Sequence, residues 1–243
     1  MLKNNFRFLI VGAGRGGTSL LAGLLDYHSS LEVGFERFSA AYLMGRELPH
    51  RGAAMFDERV DAFLAACGNE AGRYPDKLWG NKITTEQILG LEDHNLTNPG
   101  ATIDILDSLF NRRLKDQSVI FVLRDGRACV DSKVRRTGQP MEDACKKWQF
   151  SVKCYKFFST RHQNNICVRF EDLLLEPEAT LTSICDFLEI PYQEEMLSGV
   201  ANTKMRPEYR NTRIDPRKVD PVALPDVYFR MIRDDLEYCG YLT

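Results

Sequence analysis

Short apolar runs separated by longer amphipathic stretches set the rhythm of this chain. Residues 6–11 (FRFLIV), 118–123 (SVIFVL) and 164–170, centred on Ile166-Cys167-Val168, are nearly continuous apolar segments ending at glycines or charged turns. Runs of that length with those ends predict buried strands. Residues 31–36 (LEVGFE) alternate weakly and read as a further strand. Between the runs the period changes. Residues 19–28 put Leu20, Leu21, Leu24 and Leu25 on one helical face, and residues 56–67, 103–114, 141–160, 178–188 and 226–238 carry the same spacing. A charged turn, Arg124-Asp125-Gly126-Arg127, leads into another helix running through Arg135. Strand and helix alternate, so the expected fold is α/β, with a mainly parallel sheet and crossover helices. The first 36 residues form a βαβ unit in this reading. Residues 201–224 are the least regular, with Lys204, Arg206, Arg210, Arg213, Arg217 and Lys218 among Pro207, Pro216 and Pro221.

Composition narrows the class. A chain of 243 residues is one large domain or a core with a small appendage. With 44% apolar and 27% charged residues it is an ordinary globular chain, which excludes disordered and collagen-like classes. The formal net charge of -2 argues against nonspecific nucleic-acid binding as the main activity but leaves room for a local basic pocket. No apolar run approaches the ~20 residues of a membrane helix, and Arg15 cuts short the apolar start that resembles a signal segment. Seven scattered cysteines without Cys-x-x-Cys spacing read as reduced thiols. The expectation is a cytoplasmic protein with neither a nucleic-acid nor a membrane partner. No His/Cys/Asp cluster has metal-ligand spacing, so no metal is expected.

The chemistry starts at Gly12-Ala13-Gly14-Arg15-Gly16-Gly17-Thr18-Ser19, between a strand and a helix. Amides at such a helix start are unpaired and face the positive end of the dipole, and glycines let an anion approach the main chain. Two readings share these residues. Gly12-x-Gly14-x-x-Gly17 matches the dinucleotide fingerprint, and Glu36 stands about where a ribose-binding acid belongs; a nicotinamide- or flavin-dependent oxidoreductase follows from it. Read instead as a Walker-like loop, the segment has Thr18 where the phosphoryl-transfer lysine should be, which disfavours an ordinary kinase or ATPase.

Other segments extend the pattern. Arg15-Gly16-Gly17-Thr18-Ser19 resembles the 5′-phosphosulfate loop of sulfotransferases. Val122-Leu123-Arg124-Asp125-Gly126-Arg127-Ala128, followed by Ser132, resembles that family's clamp for the 3′-phosphate of 3′-phosphoadenosine 5′-phosphosulfate (PAPS). Val168-Arg169-Phe170-Glu171-Asp172-Leu173 and Leu236-Glu237-Tyr238-Cys239-Gly240-Tyr241 resemble its third strand and closing helix. The set is similar to PAPS-dependent sulfotransferases, closest in spacing to the tyrosylprotein and bacterial small-molecule branches.

The resemblance implies a P-loop-like three-layer α/β/α fold, a single sulfotransferase domain over residues 1–243, and sulfonate transfer from PAPS to a hydroxyl of a small-molecule acceptor without a metal. It implies donor binding by Arg15, Gly16, Gly17, Thr18, Ser19, Arg124, Ser132 and Arg136. Glu36 becomes the general base. Lys82, in Trp79-Gly80-Asn81-Lys82, would deliver positive charge with Arg15 to the leaving oxygen. His50 and His94 are reserve bases, and His28 is structural. Phe170 departs from the tyrosine common at its position, and the basic stretch 201–224 replaces a glycine-basic segment of many members, as a lid or a plain surface loop. The bland readings stand beside these: Arg124 paired with Asp125, Glu36 paired with Arg37, and Lys82 as a loop lysine.

Overall fold

The computed structural model describes residues 5–48, 51–219 and 222–242. Strands β1 (Phe6–Gly12), β2 (Leu31–Phe35), β3 (Leu78–Thr84), β4 (Ser118–Leu123) and β5 (Asn165–Arg169) form one sheet in the order β2-β3-β1-β4-β5. All four pairings are parallel. β1 lies at the centre, and its two faces feed different cores. Phe8 and Ile10 join Ile120 and Val122 against α1 (Thr18–Leu25), α7 (Phe170–Leu175) and α8 (Pro177–Phe187), through Leu21, Leu24, Leu173, Leu181 and Ile184. Leu9 and Val11 join Val119 and Phe121 against α2 (Met55–Ala71), α6 (Met141–Thr160) and α9 (Asp226–Tyr238), through Phe63, Trp148, Val152, Phe158, Ile232 and Leu236. A strand covered on both faces loses its polar alternation, which is why β1 beyond Arg7 and β4 beyond Ser118 read as apolar runs. The result is the expected three-layer α/β/α fold.

Helix α5 (Gly126–Thr137) begins where the Asp125 carboxylate accepts from the Arg127 amide, and stops at Gly138 in the left-handed region. Residues 103–114 do not form a regular α-helix: Asp107–Arg113 wind as a π-helix, whose wide turn still carries Leu109 and Phe110 into the core. The seven cysteines are free, and burial pushes the Cys129 thiol behind the glycine loop up to about 12, so it stays protonated. Among the described residues no helix is long and apolar enough to cross a membrane.

The main departure from the sequence reading is β3. Leu78-Trp79-Gly80-Asn81-Lys82-Ile83-Thr84 carries glycine, asparagine and lysine at its middle, yet it is a full strand between β1 and β2. Its polar side chains are satisfied from outside. Asn81 accepts from the Arg37 amide at 3.2 Å and donates to the Arg37 carbonyl at 2.8 Å. Lys82 is not a loop lysine; it is buried at the strand's carboxyl end, 3% exposed. β1 and β2 are therefore not neighbours.

Candidate active site

The glycine loop leaves β1 at its carboxyl end and enters α1. Arg15 and Gly17 sit in the left-handed region (φ 73° and 93°), and the Gly16 amide donates to the Ala13 carbonyl at 2.8 Å. Gly17 leaves no room for a side chain: a Cβ there would stand 2.0 Å from the Phe170 ring. No side chain caps α1, so its first-turn amides remain open to an anion.

The clamp segment reaches the same loop. Arg15 Nε donates to Ser132 Oγ at 3.0 Å across 117 positions of sequence. Arg124 Nη1 donates to the Arg15 carbonyl at 2.8 Å, and its guanidinium lies 4.3 Å from the centre of the Phe170 ring. Arg124 Nε is buried and finds no acceptor among the described residues, as befits a donor suited to an anion. Asp125 pairs with Arg127 at 2.6 Å and not with Arg124, while Arg135 pairs with Asp131 at 2.7 Å. These residues fit a nucleotide's phosphates.

Glu36 follows β2 in the left-handed region (φ 55°), its amide donating to the Lys82 carbonyl at 2.7 Å. Its carboxylate forms an ion pair with the Lys82 ammonium and accepts from Gln87 Nε2 at 3.0 Å. Burial works to raise its pKa, but the charge and hydrogen bond of Lys82, the Gln87 hydrogen bond and the charge of Arg206 together hold it below the ordinary glutamate value. Arg37 points to Glu70 at 3.3 Å and leaves Glu36 to Lys82. Beside Glu36, Phe38 and Tyr42 stack with ring centres 6.5 Å apart, whereas Leu43 and Phe56 belong to the core.

Two features were not anticipated. Gln87 holds Glu36. Glu86 accepts the Gly14 amide on both oxygens (3.1 and 2.9 Å) and pairs with Lys133. Both residues belong to the Thr84-Thr85-Glu86-Gln87 capping box that starts α3 (Thr85–Leu89). Residues 201–219, in the stretch read as a lid or a plain surface loop, lie over the loop and clamp. The Tyr209 ring sits 4.8 Å from the Arg15 guanidinium, Glu208 pairs with Arg136, and the Lys218 carbonyl accepts from Arg124 Nη2 at 3.4 Å. Histidines stand apart. His28 bonds the Pro191 carbonyl at 2.7 Å, and His94 is buried against Phe56 with Nε2 on the Ala101 carbonyl at 3.2 Å. His50 lies outside the described residues. Among the described residues, no group of three or more His, Cys, Asp or Glu side chains could hold a metal ion.

Sheet, loop and clamp define a P-loop-like α/β protein whose glycine loop and arginines gather at the carboxyl edge of its sheet. Residues 100–194 match the model of the Sulfotransferase family. Protein-tyrosine sulfotransferase A of Caenorhabditis elegans is 33% identical over 203 residues, covering 77% of this chain and 51% of the relative. The sulfotransferase domain from the curacin biosynthetic pathway superposes with a TM-score of 0.65 at 18% identity, over 97% of this chain and 98% of that domain. The sulfotransferase domain of the Synechococcus PCC 7002 olefin synthase gives 0.67 at 18% identity, over 98% and 95%. The chain belongs to the sulfotransferase family. It spans about half the length of the curated relative it matches. The dinucleotide reading loses its geometry here: that fold places β2 next to β1, whereas β3 intervenes and its Lys82 takes the Glu36 carboxylate.

Proposed function

We propose that this chain is a single sulfotransferase domain that moves the sulfonate group of PAPS to a hydroxyl of a small-molecule acceptor. The observation that carries the reading is the meeting of Arg15, Ser132 and Arg124 on one glycine loop, beside the Glu36–Lys82 pair. When bound, PAPS supplies an activated sulfonate at its 5′ end. Arg15 and the amides of Gly16, Gly17, Thr18 and Ser19 hold that end. Arg124, Ser132 and Arg136 take the 3′-phosphate; Phe170, 3% exposed beneath Arg124 and against Gly17, supports the clamp and the loop. Glu36 accepts the proton of the acceptor hydroxyl, and Lys82 and Arg15 place positive charge at the leaving oxygen. Those two cations do the electrostatic work, so turnover should survive EDTA.

The decisive experiment compares 3′-phosphoadenosine 5′-phosphate (PAP) with adenosine 5′-phosphate by thermal shift. A ligand at 100 times its Kd stabilises by about 2.7 kcal/mol. PAP should bind far more tightly, and Arg124→Ala should cost ~2–5 kcal/mol of that binding, as for losing one partner of a buried charge pair. Equal affinity for the two nucleotides would overturn the assignment. A second acceptor class is favoured by one observation, the tyrosylprotein relative. Offering phenols and tyrosine peptides side by side, with mass detection of the sulfonated product, separates the two.

A further inference from the structure

The first turn of α3 touches both halves of the site. Gln87 is 5% exposed and its amide is oriented by the helix start: Oε1 accepts from the Thr84 amide at 2.8 Å. That contact leaves the nitrogen end to face Glu36 Oε2 at 3.0 Å, so Gln87 presents a donor there. Glu86, the preceding residue, reaches the other way. Both of its oxygens receive the Gly14 amide, and Lys133 pairs with one of them. Lys133 directly follows Ser132, which accepts from Arg15. Gly14 and Arg15 are thus gripped from α3 on one side and α5 on the other, at the point where Arg15 takes up its left-handed conformation.

We infer that this turn is a positioning joint: Gln87 aims the Glu36 carboxylate while Glu86 sets Gly14 and Arg15, so that base and donor loop keep one separation. The inference rests on the sulfonate-transfer reading. Neither residue touches the reacting atoms. Their importance follows from the dual use of Lys82, which pairs with Glu36 here and is needed at the leaving oxygen during transfer. Once Lys82 turns to the donor, Gln87 is the hydrogen bond that still holds the carboxylate. The other charge acting on Glu36 is Arg206, from the segment over the site, while Arg37 on its own strand end is engaged by Glu70.

The test crosses two variants with two readouts. Gln87→Met keeps the length and removes the donor. It should lower kcat about tenfold, the scale of one lost hydrogen bond to a charged group, and move the acid limb of the kcat–pH profile upward, because a bond favouring the ionised carboxyl is gone. PAP affinity should stay as in the wild type. Glu86→Gln should do the converse, weakening PAP binding and raising the donor KM about tenfold with the acid limb unmoved. Loss of fold alone lowers the active fraction and shifts neither the limb nor the Kd of the folded molecules. If Glu86→Gln leaves Lys133 too costly to bury, the double variant Glu86→Gln/Lys133→Met removes both charges, and the same weakening of PAP is expected. An unmoved acid limb in Gln87→Met, or wild-type PAP affinity in the Glu86 variants, overturns the joint while the transfer reading stands. A wild-type protein that binds no PAP overturns both.

Discussion

At the scale of single residues, the informative contact is Glu36 on Lys82. The proposed base and the cation proposed for the leaving group hold each other in this structure, which keeps the carboxyl ionised and weakly basic. Taking the ammonium away to a bound donor removes the main charge that lowers the Glu36 pKa, and burial then pushes it up. A carboxyl-carbon NMR titration should therefore place Glu36 below the ordinary glutamate value in the free protein and higher with PAP present; a fall on adding PAP would contradict this. The sign for stability follows. A carboxyl with a lowered folded pKa stabilises the protein above its unfolded pKa, and this contribution disappears as pH falls through the folded one. With 40% of the side chain exposed, solvent screening keeps it small. Glu36→Gln preserves size but accepts no proton, so kcat should fall ~10²–10⁴-fold with little change in PAP affinity, measured on the same preparation. The dinucleotide alternative would show the reverse order of effects.

Elements decide access. Residues 201–219 cross the clamp with two short 3-10 turns, Pro207–Tyr209 and Pro216–Val219. Glu208 places a carboxylate on Arg136, where the resemblance puts the donor's 3′-phosphate. Carboxylate and phosphate compete for one guanidinium, so Glu208→Gln should tighten PAP binding several-fold, of the order expected for a partly exposed ion pair. The gain should shrink as salt is raised from low to physiological strength, because exposed pairs are screened. Calorimetric titration at two salt concentrations reads both effects, and weaker binding by Glu208→Gln would mean that the contact supports the bound state.

At the scale of the whole molecule, the insertion of β3 between β1 and β2 carries the architecture. It brings Lys82 to the end of β2 and buries a polar strand in the sheet. Its closest packing is at Gly80, opposite Phe8 in register, where an added Cβ would lie 2.2 Å from the Phe8 ring. Gly80→Ala should overpack this contact and cost ~1–3 kcal/mol, read as a lower denaturant midpoint of the cooperative unfolding transition. An unchanged midpoint would show that Phe8 turns aside freely.

Local patterns carried the parts of this protein that local physics decides. The runs of β1 and β4, the α/β alternation, the helices at 141–160 and 226–238 and the glycine loop between β1 and α1 were legible because burial on both faces and helical spacing are written in neighbouring residues, whereas β5, read as a buried strand, is a half-buried edge strand. The arginine after β4 was legible for the same reason, since a strand end projects its next side chain at the sheet's edge. β3 was hidden because its stabilising partners are distant: Asn81 is satisfied by Arg37, Lys82 by Glu36, and Gly80 is covered by Phe8. The roles of Glu86 and Gln87 were hidden likewise, since a capping box announces a helix start and says nothing of the loop or carboxylate beyond it. Only the sheet order brings these polar groups to one edge, where a buried charge persists because its counter-charge arrives from another strand.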